Sequence, residues 1–345
     1  MKRKRTQKHQ KLGLSMQVAV YYNNQDVRIQ EVPQPKIGEG EILLKVKASG
    51  ICGSDVMEWY RIKKAPLVLG HEATGEIAQV GGEVSKYKVG DRVFVSHHVP
   101  CNQCRYCLSG NHTVCQTLHT TNYFPGGFSE YIRVPKINVE RGVFLLPEEI
   151  SFEEGTFVEP LACVLRGQRI AGFQKGQRVI ILGAGISGLL HLLLAKAKGA
   201  EKITITDINE FRLKKAKELC ADNAINAKDN LKDLADLVII STSAQPAFLQ
   251  ALKCVDKAGT ILMFAPTEPG IILPVPVNDF WRQSIKIVHS YGASPNDTAE
   301  AVELLRKKAI NVNSLITHRL KLKDAGLGFK LFLNAKDCIK VILEP

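Results

Sequence analysis

The chain has 345 residues, of which 45% are hydrophobic and 23% charged, and carries a formal net charge of +12. Such a length suits about two domains, and the apolar share supports a sizeable core, which excludes a largely disordered chain. No run of about 18 apolar residues escapes interruption by glycine or charge, so no membrane span is expected.

Half of the net charge comes from Lys2, Arg3, Lys4, Arg5, Lys8 and Lys11. Residues 1–15 read as a disordered basic tail, and the run lacks the apolar stretch of a secretory signal. The remaining charge is spread along the chain, so no nucleic-acid or other anionic partner is expected. Without a signal peptide the nine cysteines read as thiols and metal ligands, not disulfides, and the expected location is the cytoplasm.

From Met16 to Pro147 the pattern is β. Short apolar alternations such as Glu41-Ile42-Leu43-Leu44-Lys45-Val46-Lys47 are punctuated by Gly and Pro. This half reads as a partly open β-barrel or sandwich carrying metal loops. Near Ser151 the pattern changes, and Ser151-Phe152-Glu153-Glu154 resembles a capped helix start. From Gln177 to Gly292 strands alternate with helices: Val179–Leu182, then a helix to Lys198 closed by Gly199, then a strand to Asp207 and a helix from Glu210. Later strands are expected at 237–241, 260–265 and 285–290. Alternating βα units with apolar strands predict an α/β, doubly wound parallel sheet. The helix over 297–307 and the last forty residues are expected to return to the first domain.

Three motifs carry chemistry. Cys101, Cys104, Cys107 and Cys115 lie within fifteen residues. Four thiolates so spaced close a tetrahedron around zinc and leave no open position, which makes this site structural. Upstream, Cys52 in Gly-Ile-Cys-Gly-Ser-Asp and His71-Glu72 after Gly70 form a mixed sulfur, nitrogen and oxygen set. Three protein ligands leave one coordination position for water or substrate, as a catalytic zinc requires. Glu159, in Phe157-Val158-Glu159-Pro160, is a candidate further carboxylate. Glu72 and Glu159 each stand as a direct ligand or as a group supporting a zinc-bound water.

The third motif is Gly183-Ala184-Gly185-Ile186-Ser187-Gly188, following a strand and opening a helix, with Asp207 nineteen residues beyond the last glycine. Glycines let the backbone approach a pyrophosphate, and the helix N-terminus faces its negative charge. Asp207 can bond both ribose hydroxyls and would repel a 2′-phosphate, favouring NAD over NADP. Arg212 is the counter-indication, since a nearby arginine can accept that phosphate.

On these residues the chain resembles the zinc-dependent medium-chain dehydrogenase/reductase superfamily, nearest its sorbitol (polyol) and threonine dehydrogenase branches. Gly70-His71-Glu72-x2-Gly75-x5-Gly81-x2-Val84 follows that family's zinc signature throughout. The resemblance implies a GroES-like β-barrel catalytic domain (16–155 and 293–345) and a Rossmann NAD-binding domain (156–292), with a catalytic zinc between them. It implies Cys52, His71 and a carboxylate as zinc ligands, Ser54 as the first proton-relay group, and nicotinamide held against Thr242. It also implies a homo-oligomer, dimer or tetramer. The expected activity is hydride transfer from a secondary alcohol, such as a polyol, sugar alcohol or cyclitol, to NAD. The alternatives are a threonine 3-dehydrogenase-like or sugar-phosphate dehydrogenase and, in a different class, a non-catalytic NAD(H)-binding sensor. The intact zinc set and Ser54 argue against the sensor.

Two departures stand out. Where many relatives carry a relay histidine five residues after the catalytic cysteine, this chain has Met57, whose thioether cannot carry a proton. The interval between Cys52 and His71 is short, and the trimmed segment Met57-Glu58-Trp59-Tyr60-Arg61-Ile62 is expected to line the substrate cleft. Arg61, Lys63 and Lys64 read as a solvated loop or as a cationic pocket for a substrate phosphate. His97 and His98, beside the cysteine run, read as structural.

Overall fold

A computed structural model describes residues 14–345. The basic tail expected over 1–15 therefore falls almost wholly outside the described residues. Its last member, Ser15, already opens the first strand, Ser15–Asn23.

Three sheets organise the molecule. The first is a small antiparallel sheet of Ser15–Asn23, Asp26–Pro33 and Leu67–Val68. The second has seven strands, in which Ile42–Gly50 pairs with Glu72–Val80 and with Tyr131–Val134. The C-terminal strand Lys340–Glu344 joins the same sheet beside Ile42–Gly50, so the end of the chain does return to the first half. The third sheet has six strands, all parallel. It begins with Arg178–Leu182 at its centre, runs outward through Lys202–Asp207 to Asn223–Asn226, then crosses back through Ala235–Ile240 and Val255–Met263 to Lys286–His289. In sheet position this is the order 3-2-1-4-5-6 of dinucleotide-binding folds, whose switch point lies at the carboxyl end of the first strand.

The helix Val158–Ile170 lies where the halves meet. Phe157, Val158, Leu161, Ala162, Val164 and Leu165 are buried in one cluster that also holds Ala48 and Phe94 from the seven-stranded sheet and Ile181 and Leu262 from the six-stranded one. Burying each such large side chain contributes about 1.5–3 kcal/mol, so this helix cements the two sheets and fixes Glu159 in its first turn. Helix Pro295–Arg306 packs on it, and Arg169 holds Asp297 at 3.0 Å. The expected helix over 297–307 thus covers this junction, and the strands after it join the barrel sheet.

Among the elements the sequence does not announce are two with weak apolar patterns. Asn223–Asn226 is a short, half-buried edge strand with only two apolar residues, too few for an alternation to register. The helix Val277–Gln283 buries only Phe280, so it carries no apolar stripe.

Candidate metal centres and dinucleotide cradle

Cys52 follows the strand Ile42–Gly50 and caps a single 3-10 turn, Gly53–Asp55. The Ser54 amide points at the Cys52 sulfur from 3.5 Å, and the Asp55 carboxylate accepts from the Cys52 amide at 3.0 Å. The turn therefore presents the Cys52 sulfur with nearby amides already engaged. Glu72 opens the neighbouring strand and lies directly across from Gly50 in register. One ligand atom each from Cys52, His71 and Glu72 falls within 4.8 Å of the others. Glu159 stands outside this set: its carboxylate accepts from the Cys163 thiol at 3.4 Å, and burial raises its proton affinity.

Two groups without an assigned role in the sequence reading complete this environment. Asp55, fully buried, sits 3.4 Å from His71 Nδ1. A carboxylate on the distal nitrogen of a metal-binding histidine orients the ring and strengthens its basicity. Burial opposes a positive His71, but Asp55 and the Cys52 thiolate outweigh it and raise its proton affinity well above normal. Asp55, Glu72 and the Cys52 sulfur thus crowd around this ring. Lys340, also fully buried, is ion-paired with Glu72 and donates to the Ile51 carbonyl at 3.3 Å. Gly50 makes room for that pair, because a Cβ there would come within 2.7 Å of Lys340 Nζ. The signal for Lys340 was a lone charge in the run Ile339-Lys340-Val341-Ile342-Leu343, since a buried charge requires a partner.

Ser54 lies 3.6 Å from the Cys52 sulfur through its hydroxyl. Its oxygen accepts from Arg61 Nη2 at 3.1 Å, and its carbonyl from Arg61 Nε at 2.8 Å. His97 and His98 are placed at this centre rather than merely beside the cysteine run, with the His97 ring centroid 5.0 Å from that of His71. Both line a cavity that reaches Glu159 and Gly292. Burial, together with neighbouring positive groups, lowers the proton affinity of both and brings His98 to about 4, so each is neutral at pH 7.

The four-cysteine run folds on itself. Helical turns at Arg105–Leu108 and His112–Val114 bring all four sulfurs together. Cys104 and Cys107 are 3.5 Å apart, Cys101 and Cys107 3.9 Å. The Cys104 amide donates to the Cys101 sulfur at 3.2 Å and the Cys101 amide to the Cys115 sulfur at 3.3 Å. Burial raises the Cys115 thiol, yet these and neighbouring amides overcome it and lower it to about 5, while burial and the adjoining sulfurs push Cys107 up to about 12. Four sulfurs this close cannot all ionise without a cation among them. The donor set fits zinc.

At the switch point of the parallel sheet, Gly183 adopts φ +102°, a left-handed conformation that favours glycine. A Cβ on Gly188 would collide with the Gly183 carbonyl, so that glycine lets the helix Ile186–Ala197 close on the strand. Gly185 caps that helix and faces open space apart from Arg212 Nη1. Ser187 lies half-buried in its first turn. Asp207 ends the next strand and accepts from the Ala184 amide at 2.7 Å and the Asn209 amide at 2.9 Å. Thr242 abuts Gly183 across the crevice. These residues fit a dinucleotide: glycines clear a path and an acid stands at the strand end.

Residues 38–147 match the family model for the alcohol dehydrogenase GroES-like domain, and residues 187–307 that for zinc-binding dehydrogenases. The chain is 32% identical to a sorbitol dehydrogenase of Bacillus subtilis strain 168, over 96% of this chain and 98% of that protein. It is 31% identical to an L-threonine 3-dehydrogenase of Rhizobium etli CIAT 652, over 92% and 94%. An alcohol dehydrogenase of Escherichia coli CFT073, solved with NADH, superposes with a TM-score of 0.86 at 28% identity, covering 96% and 100%. The chain therefore belongs to the zinc-dependent medium-chain alcohol dehydrogenases.

Proposed function

We propose that the protein oxidises a secondary alcohol of a polyol to a ketone, with Cys52, His71 and Glu72 as the catalytic metal ligands and Ser54 as the group that takes the hydroxyl proton. The observation that carries this reading is the convergence of Cys52, His71 and Glu72 with the Ser54 hydroxyl on the same sulfur. Zinc, when bound, supplies a Lewis acid for the substrate oxygen, and NAD supplies the hydride acceptor. Arg61 orients the Ser54 hydroxyl by donating to it, which leaves the hydroxyl hydrogen to point away from the guanidinium. Lys340 compensates the charge of Glu72, and Asp55 holds the His71 ring. Met57 offers no onward proton path, so the proton leaves Ser54 by way of cofactor ribose or water. Glu159 supports the site as a neighbouring carboxyl shared with Cys163.

Cys101, Cys104, Cys107 and Cys115 hold a second zinc in a purely structural role. Gly183, Gly185, Ser187 and Gly188 receive the pyrophosphate, Asp207 the ribose hydroxyls, Arg212 the adenosine end, and Thr242 the nicotinamide side. The polyol assignment draws on the sorbitol dehydrogenase relative. A threonine substrate would need partners for both an ammonium and a carboxylate.

No helix among the described residues is long and apolar enough to cross a membrane. We place the enzyme in the cytoplasm, where its free thiols stay reduced. We further propose a homo-oligomer joined at the outer strand Lys286–His289, beside which Trp281 is 75% and Val277 71% exposed. The test is NADH formation by zinc-loaded protein across hexitols, cyclitols, threonine and simple alcohols. Turnover confined to polyols supports the reading, and turnover confined to threonine overturns it.

A further inference from the structure

Arg61 is the charge at this centre that the proposed reaction uses least. Its side chain is only 14% exposed. A guanidinium has five N–H groups in a rigid fork. Nε donates to the Ser54 carbonyl at 2.8 Å and Nη2 to the Ser54 hydroxyl at 3.1 Å. The Asp55 carboxylate lies 3.6 Å from Nη2, too far for a hydrogen bond, and is shared with His71. Nη1 has no acceptor among the described residues. Glu58, the nearest acid in sequence, is turned away and accepts from the Asn24 amide at 3.1 Å. Arg61 is thus fixed at one edge of its fork and open at the other, a single hydroxyl removed from a zinc-ligating sulfur.

Asp55 is ion-paired with Arg61 at 3.6 Å from one side, and a second cation gathers on Tyr60. The Tyr60 ring is bracketed by two cations, Arg61 Cζ at 4.7 Å and Lys64 Nζ at 4.9 Å from its centroid. Burial and the positive charges of Arg61 and Lys64 contribute to keeping His98 neutral. His97, on the same wall, also feels Arg61. A neutral polyol can accept only single hydrogen bonds through its hydroxyl oxygens and does not match such a fork. An oxyanion does, because carboxylates and phosphates match guanidinium geometry with two parallel hydrogen bonds.

From this arrangement we infer that the substrate is a polyhydroxy compound bearing an oxyanion, a carboxylate or a phosphate ester, that docks on the open Nη1 edge of Arg61. This rests on the polyol reading above and narrows it. Arg61 then acts as a specificity-determining residue with a second, positioning role toward Ser54. Arg61 binds the anion, and Lys64, on the same Tyr60 ring, adds a second positive charge.

The experiment compares kcat/KM with NAD for neutral hexitols, the matching hexonates and the hexitol phosphates, on zinc-loaded wild-type enzyme and on Arg61→Ala and Arg61→Lys. The expected result is a preference of about 30-fold or more for one anionic class in the wild type, as one charge-assisted bidentate contact of about 2 kcal/mol implies. Arg61→Ala should reduce that ratio by about the same factor, acting mainly through KM, while any slowing through Ser54 appears equally on neutral and anionic substrates. Arg61→Lys keeps the charge but loses the fork, so it should retain part of the preference, and it guards against a variant that misfolds. Whether the hexonate or the phosphate wins identifies the source of the oxyanion. Equal rates on neutral and anionic substrates in the wild type, or an unchanged ratio in both variants, would overturn the inference while leaving the polyol reading intact. Turnover of no polyol, charged or neutral, would overturn both.

Discussion

The two candidate metal centres are built by opposite means. The four-cysteine centre is local: fifteen consecutive residues supply every sulfur, and its small core is Cys107, Cys115 and Leu118. The centre at Cys52 is assembled from distant parts. A turn after one strand gives Cys52, the next strand gives Glu72, and Lys340 arrives across a separation of 268 residues. The first offers one kind of donor and closes. The second mixes sulfur, nitrogen and oxygen, surrounds them with Asp55, Arg61, Lys340 and Glu159, and leaves room. A structural metal asks the chain only for ligands, whereas a catalytic one also asks for charge balance and access.

That contrast can be broken in several ways. The largest effect is expected at the local centre. Cys104→Ser should release its zinc and unfold the lobe over 101–120, since structural zinc contributes on the order of 10 kcal/mol in small modules. Limited proteolysis should then cut within the lobe. If the lobe stays resistant, the metal is not what holds it. At the assembled centre, Ser54→Ala should lower kcat by about 10²- to 10⁴-fold, the usual worth of a positioned acid–base group, with zinc content unchanged. A loss below tenfold would move the proton transfer elsewhere.

The charge balance is tested by Lys340→Met. Removing one member of a buried pair costs about 3–5 kcal/mol, so urea denaturation should shift to a much lower midpoint. Combining it with Glu72→Leu should restore most of that stability while turnover stays absent. If the double variant is no more stable than Lys340→Met alone, the pair is not a unit.

The smallest effect lies outside both centres and gives a baseline for pH. His191, fully buried against Gln168 and Phe264, has its proton affinity lowered by burial to about 3. In the unfolded chain it titrates near 6.5, so between these values the unfolded state binds the extra proton. Its stabilising effect is therefore complete above pH 6.5 and declines as pH falls, by about 2 kcal/mol at pH 5. His191→Leu should lose less stability than the wild type between pH 7 and pH 5. An identical pH slope would place the acid sensitivity at another group.

The same local-versus-assembled division governs how far the sequence could be read. The four lobe cysteines, the glycines of the dinucleotide turn and Asp207 stand out in the sequence as candidates because the chemistry proposed for them depends on spacing within a few residues, and the fold does bring the four sulfurs together. Cys52, His71 and Glu72 stand out as a candidate set through short motifs, which leave Glu72 and Glu159 as alternatives. That choice depends on strand register, which sets Glu72 opposite Gly50, and on a helix packed between the two sheets, which carries Glu159. Lys340 and the grip of Arg61 on Ser54 are tertiary contacts with no periodic signature. Asp55 stood in view inside a motif, and only the fold gave it His71 as a partner.

The central claim is that the assembled centre performs the chemistry and the local one only maintains the lobe. The most direct measurement takes Cys52→Ala and records zinc per chain, NAD-dependent turnover and Tm on one preparation. One zinc per chain, no turnover and a Tm within a few degrees of the parent would agree with it. Surviving turnover, or a collapse in Tm like that expected of Cys104→Ser, would contradict it.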